Sequence, residues 1–286
     1  MLLAAESNLN LMKAVVLGAV QGLSEFLPIS SSAHLVLVPW LLGWEDPGLT
    51  FDVALHVGTF VAVLLYFWRD VWRMAAAVGR GVLAGRPFAE PDASLAALIV
   101  LGSIPGAVAG FIGDDPIDAF FHRPDAARPA LAIIAIALIL LGLLLAVAER
   151  SAKHLRPLSD VTLRDALIVG AAQTLALVPG VSRSGSTITA GLFLNLRRET
   201  AARFSFLLAL PITAGAALKK SLDVALKTGL APGDRLPFAV GILTAGLVGY
   251  ACIAFLLRYL QRGSTLVFTI YRVAVGILVL VLLFVR

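Results

Sequence analysis

The stretch QGLSEFLPISSSAH, residues 21–34, places a carboxylate, three consecutive serines and a histidine beside an apolar run of the chain. A charge such as Glu25 is costly inside an apolar helix and usually faces a partner or a water-filled cavity. Ser31 and His34 lie about one helical turn apart, so the imidazole is placed to take the hydroxyl proton. These residue types indicate proton-transfer chemistry with a serine hydroxyl as an available nucleophile.

The polar residues around this group predict contacts to a ligand. Gln21 precedes Glu25 by four residues and shares its helical face, so the two form one polar stripe. At least one hydroxyl among Ser30, Ser31 and Ser32 is expected to cap the helix that follows, and the others are expected to face the ligand.

A second polar stretch, PGVSRSGST at residues 179–187, has the composition of an anion site. The planar guanidinium of Arg183 suits bidentate binding of phosphate or carboxylate. A helix that begins near Thr187 would direct its N-terminus, which favours anions, at the same place. The other residues of this stretch expected to contact the ligand are Ser182, Ser184, Gly185, Ser186 and Thr187.

The composition predicts an integral membrane protein. Of the 286 residues, 59% are hydrophobic and only 14% charged, whereas soluble domains are about a quarter charged. The net charge of +5 arises in short loops between apolar runs, which is typical of a cytoplasmic membrane face and argues against nucleic-acid binding. The single cysteine, Cys252, excludes a disulfide and a thiolate metal site. The histidines outside the two polar stretches are assigned no role: His56, His122 and His154.

Six apolar runs are long enough, or nearly so, to cross a bilayer core of about 30 Å as helices. Four shorter runs flank the two polar stretches in pairs, and polar backbone cannot face lipid. Each pair is therefore predicted to form a re-entrant helical hairpin with its tip at mid-membrane, although two spans joined by a surface loop would also fit. The predicted spans are about Phe51–Trp68, Leu95–Ile112, Ala130–Ala148, Phe204–Leu218, Phe238–Leu257 and Leu266–Val285, and the hairpins pair Leu11–Leu27 with Leu35–Leu42 and Leu163–Val178 with Thr187–Leu196.

The halves of the chain, residues 1–150 and 151–286, are related by a shift of 152 positions that carries Gly18 onto Gly170 and Gln21 onto Gln173. In each half a predicted hairpin is followed by three spans. Three crossings are an odd number, so the halves must have opposite orientations. The sequence therefore predicts an all-α integral membrane protein with an inverted-topology repeat, six spanning helices and two re-entrant helical hairpins.

The same shift shows that the two tips are chemically different. It carries Glu25 onto Leu177 and Ser31 onto Arg183. One tip therefore supplies acid–base groups and the other an anion clamp. Together they predict a buried site that handles phosphate.

Charge predicts the orientation in the membrane. Residues 69–86 and 150–164 each include four basic residues, and by the positive-inside rule their side is cytoplasmic. The first hairpin then enters from outside and the second from inside. The acidic residues on the outer side are Glu45, Asp46, Asp114, Asp115 and Asp118, and the lysines that oppose this assignment are Lys219, Lys220 and Lys227.

The sequences GLSEFLPISSSAH and PGVSRSGSTITAG resemble the two signature motifs of the undecaprenyl-diphosphate phosphatase family, the bacterial bacitracin-resistance proteins. The resemblance extends over nearly the whole chain, including FSFLLALPI and IYR. It implies a multi-pass enzyme of the bacterial inner membrane that hydrolyses undecaprenyl diphosphate to the monophosphate carrier of cell-wall synthesis. It implies that Glu25 is the motif acid and His34 the motif histidine. It also implies an active hydroxyl at Ser31 and a diphosphate-binding guanidinium at Arg183.

The resemblance also implies a divalent cation, Mg²⁺ or Ca²⁺, for which Glu25 is the candidate ligand. Gln21 stands where the family often has glutamate, so a two-carboxylate metal or base arrangement is in doubt here. Magnesium nevertheless commonly binds through few carboxylates plus phosphate oxygens.

The sequence thus predicts an enzyme whose substrate is a polyprenyl diphosphate lipid, with the tail in the bilayer or a groove and the diphosphate at the joined tips. Either Ser31, activated by His34, attacks the terminal phosphorus, or His34 activates water, while Glu25 orients His34 or holds the cation. The alternative is a transporter or flippase for a phosphorylated lipid, because broken helices and inverted repeats are usual in transporters. No sequence feature indicates an oligomeric state.

Overall fold

The computed structural model describes residues 9–121, 127–223 and 233–285, with side chains described in 9–113, 128–218 and 233–285. Over these ranges the chain forms eleven α-helices and no β-strand, which confirms the all-helical prediction. The helices are α1 (Leu11–Phe26), α2 (Ser31–Leu42), α3 (Leu49–Tyr66), α4 (Trp68–Leu83), α5 (Pro91–Phe121), α6 (Ala127–Ser151), α7 (Leu163–Thr174), α8 (Arg183–Phe193), α9 (Arg198–Asp223), α10 (Arg235–Tyr259) and α11 (Leu266–Val285). The charged and histidine side chains of the sequence analysis that fall outside the description are Asp114, Asp115, Asp118, His122, Lys219, Lys220 and Lys227.

Six of these helices are long and apolar enough to cross a membrane, and they coincide with the six predicted spans. They are α3, α5, α6, α9, α10 and α11. Their outer surfaces carry large apolar side chains, such as Phe111, Leu140 and Phe284, that are well exposed in the isolated chain. Apolar side chains facing outward are expected where the solvent is lipid rather than water.

Two pairs of shorter helices, α1 with α2 and α7 with α8, meet at their connecting residues in the interior of the bundle. The Gly180 N–H donates to Ser30 Oγ over 3.1 Å, and Ser184 Oγ donates to the Leu27 carbonyl over 3.0 Å. At about 1.5 Å of rise per residue, α2, α7 and α8 are each well short of a bilayer core. We call residues 27–30 the first tip and residues 178–182 the second tip.

The start of α8 differs from its predicted position. A helix beginning near Thr187 was expected, but α8 begins at Arg183. The cause is the Ser182 side chain, which accepts a hydrogen bond from the Gly185 N–H and so caps the helix one turn earlier. The first turn of the helix therefore contains Arg183 itself.

An additional helix, α4, occupies part of the segment that the sequence analysis treated as a basic loop. Its small and apolar side chains, including Met74 and Ala77, are buried against the bundle, while Trp72 is 70% exposed. A helix with one apolar face, exposed tryptophan and several arginines fits a position along the membrane surface. The segment is strongly amphipathic at the helical period, so its periodicity was the signal that could have identified α4.

Glycines let the short helices approach the long ones at backbone distance. A Cβ added to Gly18 in α1 would lie 2.7 Å from the Gly241 carbonyl oxygen of α10. A Cβ added to Gly170 in α7 would lie 1.8 Å from the Gly102 carbonyl oxygen of α5. Both contacts exclude any larger residue, and small residues are the usual means of close helix packing in membranes.

Candidate active site

Glu25, near the end of α1, is the centre of the polar cluster. Its Oε1 accepts a hydrogen bond from Arg183 Nη2 over 2.7 Å, which forms an ion pair between the two short-helix pairs. Its Oε2 accepts from Ser31 Oγ over 2.7 Å and from Gln21 Nε2 over 3.1 Å. The carboxylate is thus held by a charged partner and two neutral donors, which compensates the burial of its charge.

Ser31 is oriented toward Glu25 and not toward His34. The i to i+3 spacing places the hydroxyl and the imidazole on one helical face, but the Ser31 hydroxyl donates across the first tip to Glu25 Oε2. A hydroxyl donating to a carboxylate at this distance is the arrangement of a nucleophile and its general base. The predicted contact between Ser31 and His34 is therefore wrong for the described residues.

Both ring nitrogens of His34 have other partners. Nδ1 lies 2.7 Å from the Ser30 carbonyl and must donate, because a carbonyl can only accept. Nε2 lies 2.7 Å from the Tyr271 hydroxyl, and the two rings are stacked with centroids 5.6 Å apart. His34 therefore holds the first tip against α11.

Arg183 has one nitrogen that is free to bind a ligand. While Nη2 binds Glu25, Nη1 is buried and has no hydrogen-bond partner among the described residues. The fork of the guanidinium can thus hold the carboxylate with one nitrogen and an oxyanion with the other.

Two helix N-termini begin beside this group. α2 begins at Ser31 and α8 at Arg183, and the preceding residues, Ser30 and Ser182, have positive φ values of 79° and 73°. Such values are rare in non-glycine residues and are maintained only where the surroundings impose them. The positive N-terminal ends of α2 and α8 therefore lie beside the same polar cluster, where they favour a bound anion.

His56 contacts the site, although the sequence analysis gave it no role. Its Nε2 lies 3.6 Å from Glu25 Oε2, and α3 brings it there from outside both polar stretches. Nothing in the spacing of His56 relative to Glu25 could predict this contact, because it depends on how α3 packs beside α1.

Arg272 in α11 fixes the two tips together and was also not predicted as a site residue. It is fully buried, and its Nη1 donates to the Pro28 carbonyl over 3.0 Å. Its Nη2 donates to the carbonyls of Gly180 over 2.9 Å and Val181 over 3.0 Å. A charge within an apolar span was the signal that could have identified it.

A cavity of about 510 Å³ lies against the cluster, a volume typical of a small-molecule site. Its polar end is lined by Glu25, Ser31, Ser32, His56, Ser182 and Arg183. The rest of the cavity, which we call the apolar arm, is lined by residues of three segments. They lie within residues 106–111 of α5, residues 174–177 at and just after the end of α7, and residues 211–216 of α9. The part of the cavity that can bind an anion is therefore continuous with its apolar part.

The other predicted binding residues lie behind the cavity lining and hold it in place. Gln21 donates to Glu25, Ser30 accepts from Gly180 and Ser184 donates to Leu27. Thr187 Oγ1 lies 2.6 Å from Ser205 Oγ, which joins α8 to α9. A Cβ at Gly185 would lie 2.7 Å from Arg272 Nη1, so this glycine leaves room for the buried arginine.

The residues of the cavity do not form a resident metal cage. No group of three or more His, Cys, Asp or Glu side chains that could hold a metal occurs among the described residues. Glu25 is the one carboxylate among the residues that line the cavity, and both its oxygens already accept hydrogen bonds. A cation that keeps most of its ligands as water and phosphate oxygens is the kind this donor set fits.

A carboxylate in contact with a hydroxyl, a guanidinium with a free nitrogen and two helix N-termini is an arrangement suited to phosphoryl transfer. Residues 14–278 match the family described as Bacitracin resistance protein BacA. The chain belongs to this family. Its six span-forming helices and its membership of this bacterial family make it a multi-pass protein of the bacterial inner membrane.

Relatives in this family are similar over all or nearly all of their length. A protein of Thermomicrobium roseum named undecaprenyl-diphosphatase is 50% identical over 279 residues, which covers 97% of this chain and 100% of the relative. A protein of the same name from Moorella thermoacetica is 47% identical, with 97% and 100% of the two chains covered. A third, from Trichlorobacter lovleyi, is 50% identical, with 96% and 98% covered.

Proposed function

We propose that the protein hydrolyses undecaprenyl diphosphate to undecaprenyl phosphate and inorganic phosphate. The observation that carries this proposal is the 2.7 Å hydrogen bond from the Ser31 hydroxyl to Glu25, beside an arginine with a free nitrogen. The apolar arm that continues from this group suits a lipid substrate. The names of the full-length relatives support the same activity.

In the first step, the Ser31 oxygen attacks the terminal phosphorus as Glu25 takes the hydroxyl proton. A bond forms between this oxygen and phosphorus, and the bond from phosphorus to the bridging oxygen breaks. Glu25 then passes the proton to the departing oxygen of undecaprenyl phosphate. In the second step, water displaces phosphate from Ser31 while Glu25 moves a proton from the water to the serine oxygen.

Charge on the transferring phosphoryl group is stabilised by fixed positive partners. Arg183 Nη1 is the donor available to an equatorial oxygen, and the N-termini of α2 and α8 add backbone N–H groups. Arg183 also holds Glu25 in position. The sequence pattern predicted His34 as the base, but in this mechanism Glu25 has that role. His34 positions the backbone of the first tip, directly before Ser31.

A divalent cation, Mg²⁺ or Ca²⁺, is best accounted for as part of the substrate. The diphosphate would bring the ion with it, and Glu25 would be its ligand from the protein. The ion would supply neutralisation of phosphate charge.

The two helix pairs are proposed to be re-entrant hairpins related by an inverted repeat. Gly18 and Gly170, which the shift relates, each contact a long helix of the other half at backbone distance, α10 for Gly18 and α5 for Gly170. The same shift relates the two residues with positive φ, Ser30 and Ser182. Matching contacts in both halves support re-entrant hairpins rather than four additional helices that each cross the membrane.

The proposed topology places Asp46 outside and Lys153 in the cytoplasm, and both residues are exposed. We expect a cysteine at position 46 to react with a membrane-impermeant thiol reagent in intact cells, and one at position 153 to react only after lysis. Both are to be introduced with Cys252→Ala, which removes the native thiol. Equal labelling of the two positions in intact cells would contradict the orientation.

A lipid transporter or flippase is the competing function, and it requires two compartments. We expect the purified protein in detergent, where no second compartment exists, to release inorganic phosphate from undecaprenyl diphosphate with multiple turnovers. A protein that binds the lipid but releases no phosphate would contradict the proposed hydrolysis.

A further inference from the structure

Gln173 in α7 is a buried polar side chain with no partner. It is 5% exposed, and neither its Nε2 nor its Oε1 has a hydrogen-bond partner among the described residues. A buried amide without partners is destabilising, so it requires an explanation. Gln173 lines the cavity of the candidate active site.

The repeat explains why this amide lacks a partner. Gln21, which the 152-position shift carries onto Gln173, donates to Glu25 four residues further along α1. The residue four positions after Gln173 is Leu177, whose side chain cannot accept a hydrogen bond. The Nε2 and Oε1 atoms of Gln173 are therefore available to a ligand in the cavity.

Gln173 lies five residues before the second tip, and its side chain lies beside residues of the apolar arm. A Cβ added to Gly106 in α5 would lie 2.7 Å from Gln173 Nε2 and 2.8 Å from Ile212 Cδ1 in α9. Gln173 thus faces the gap between α5 and α9. The two threonines that line the same region donate to backbone carbonyls instead, Thr174 to Ala171 and Thr213 to Ala209.

We infer that Gln173 binds the phosphate that remains on the lipid, while the first isoprene units of the prenyl chain occupy the apolar arm between α5 and α9. This inference rests on the proposed function. If Ser31 and Arg183 hold the terminal phosphate, the lipid-proximal phosphate comes next along the substrate and the prenyl chain follows it. Gln173 lines the cavity beside the apolar arm, and an amide Nε2 donates readily to a phosphate oxygen.

The test is a comparison of product inhibition between the parent and Gln173→Leu. The retained phosphate is present in undecaprenyl phosphate and absent from inorganic phosphate. We expect Gln173→Leu to weaken inhibition by undecaprenyl phosphate about tenfold or more, as a lost hydrogen bond to a charged group does. We expect inhibition by inorganic phosphate to be unchanged, and KM for undecaprenyl diphosphate to rise more than kcat falls.

Two variants serve as controls. Ile168→Leu also changes α7, but Ile168 is exposed and lies outside the cavity lining, so its inhibition constants should match the parent. Gln173→Glu keeps the shape of glutamine but places a carboxylate against phosphate, so it should bind undecaprenyl phosphate more weakly than Gln173→Leu does. A purely structural role would instead lower the melting temperature and leave the ratio of the two inhibition constants unchanged.

Equal weakening of both inhibitors in Gln173→Leu, or no weakening of either, would overturn the inference. The affinity for undecaprenyl phosphate is also to be measured by calorimetry, which does not depend on turnover. If the parent protein released no phosphate but Gln173→Leu still lost affinity for undecaprenyl phosphate, the proposed hydrolysis would fail and the contact to the lipid phosphate would stand.

Discussion

Ser31→Ala is expected to lower turnover by on the order of 10⁴-fold while the diphosphate lipid still binds through Arg183. The hydroxyl that would form the bond to phosphorus is lost, but the guanidinium and the two helix N-termini remain. Steady-state phosphate release should measure the loss, and calorimetry with the substrate should show affinity within a few-fold of the parent. Ser24 on α1 lies outside the cavity lining, and its hydroxyl donates to the Val20 carbonyl, so Ser24→Ala is the control and should lose little rate.

The partner of Ser31 can be identified by combining substitutions. Glu25→Gln removes the base, and the Ser31→Ala, Glu25→Gln double variant should be little slower than the slower single variant, because groups that act as a unit are not additive. The losses of turnover caused by His34→Ala and by Ser31→Ala should instead multiply in the double variant. His34 contacts Ser30 and Tyr271 and not Ser31. A Ser31→Ala enzyme within a few-fold of the parent would mean that water, not serine, attacks phosphorus.

Arg183→Lys is expected to lose about 10²- to 10³-fold in kcat although it keeps the positive charge. The guanidinium holds Glu25 with Nη2 and leaves Nη1 free for the phosphoryl group. A lysine ammonium is a single point charge and cannot occupy both places at once. Phosphate release by the purified variant measures the effect.

The control for Arg183→Lys is Arg73→Lys on α4, where an exposed arginine pairs with Asp70, a carboxylate that Arg203 also binds. Exposed ion pairs contribute little, on the order of 0–1 kcal/mol, so its activity should match the parent. Near-normal turnover in Arg183→Lys would show that the fork of the guanidinium does not bind phosphate.

The fold could be predicted where hydrophobicity alone decides it. The six spans were predictable because each is a long apolar run, and lipid requires such runs to be helical. α4 was not predictable in this way, since its arginines reduce its mean hydropathy and its buried face consists largely of small residues. The start of α8 was misplaced because a serine cap is decided by local backbone geometry, which the position of Thr187 does not reveal.

The chemistry of the site could be predicted more fully than its contacts. Glu25 and Arg183 were identifiable because charges in apolar surroundings need partners, and the repeat indicated that their tips would meet. The contact of Ser31 with Glu25 depends on how the first tip turns, and helical spacing alone pointed to His34 instead. His56 and Gln173 reach the cavity through the packing of α3 and α7, which no spacing within one motif determines.

Hydrolysis in water enriched in heavy oxygen is the measurement that tests the central claim most directly. Purified protein in detergent would convert undecaprenyl diphosphate in this water, and mass spectrometry would then locate the label in each product. Attack at the terminal phosphorus predicts one heavy oxygen in inorganic phosphate, none in undecaprenyl phosphate, and equal amounts of the two products. Label in the lipid phosphate, or release of inorganic diphosphate, would show that another bond is broken and would contradict the assignment of the terminal phosphate to Ser31 and Arg183.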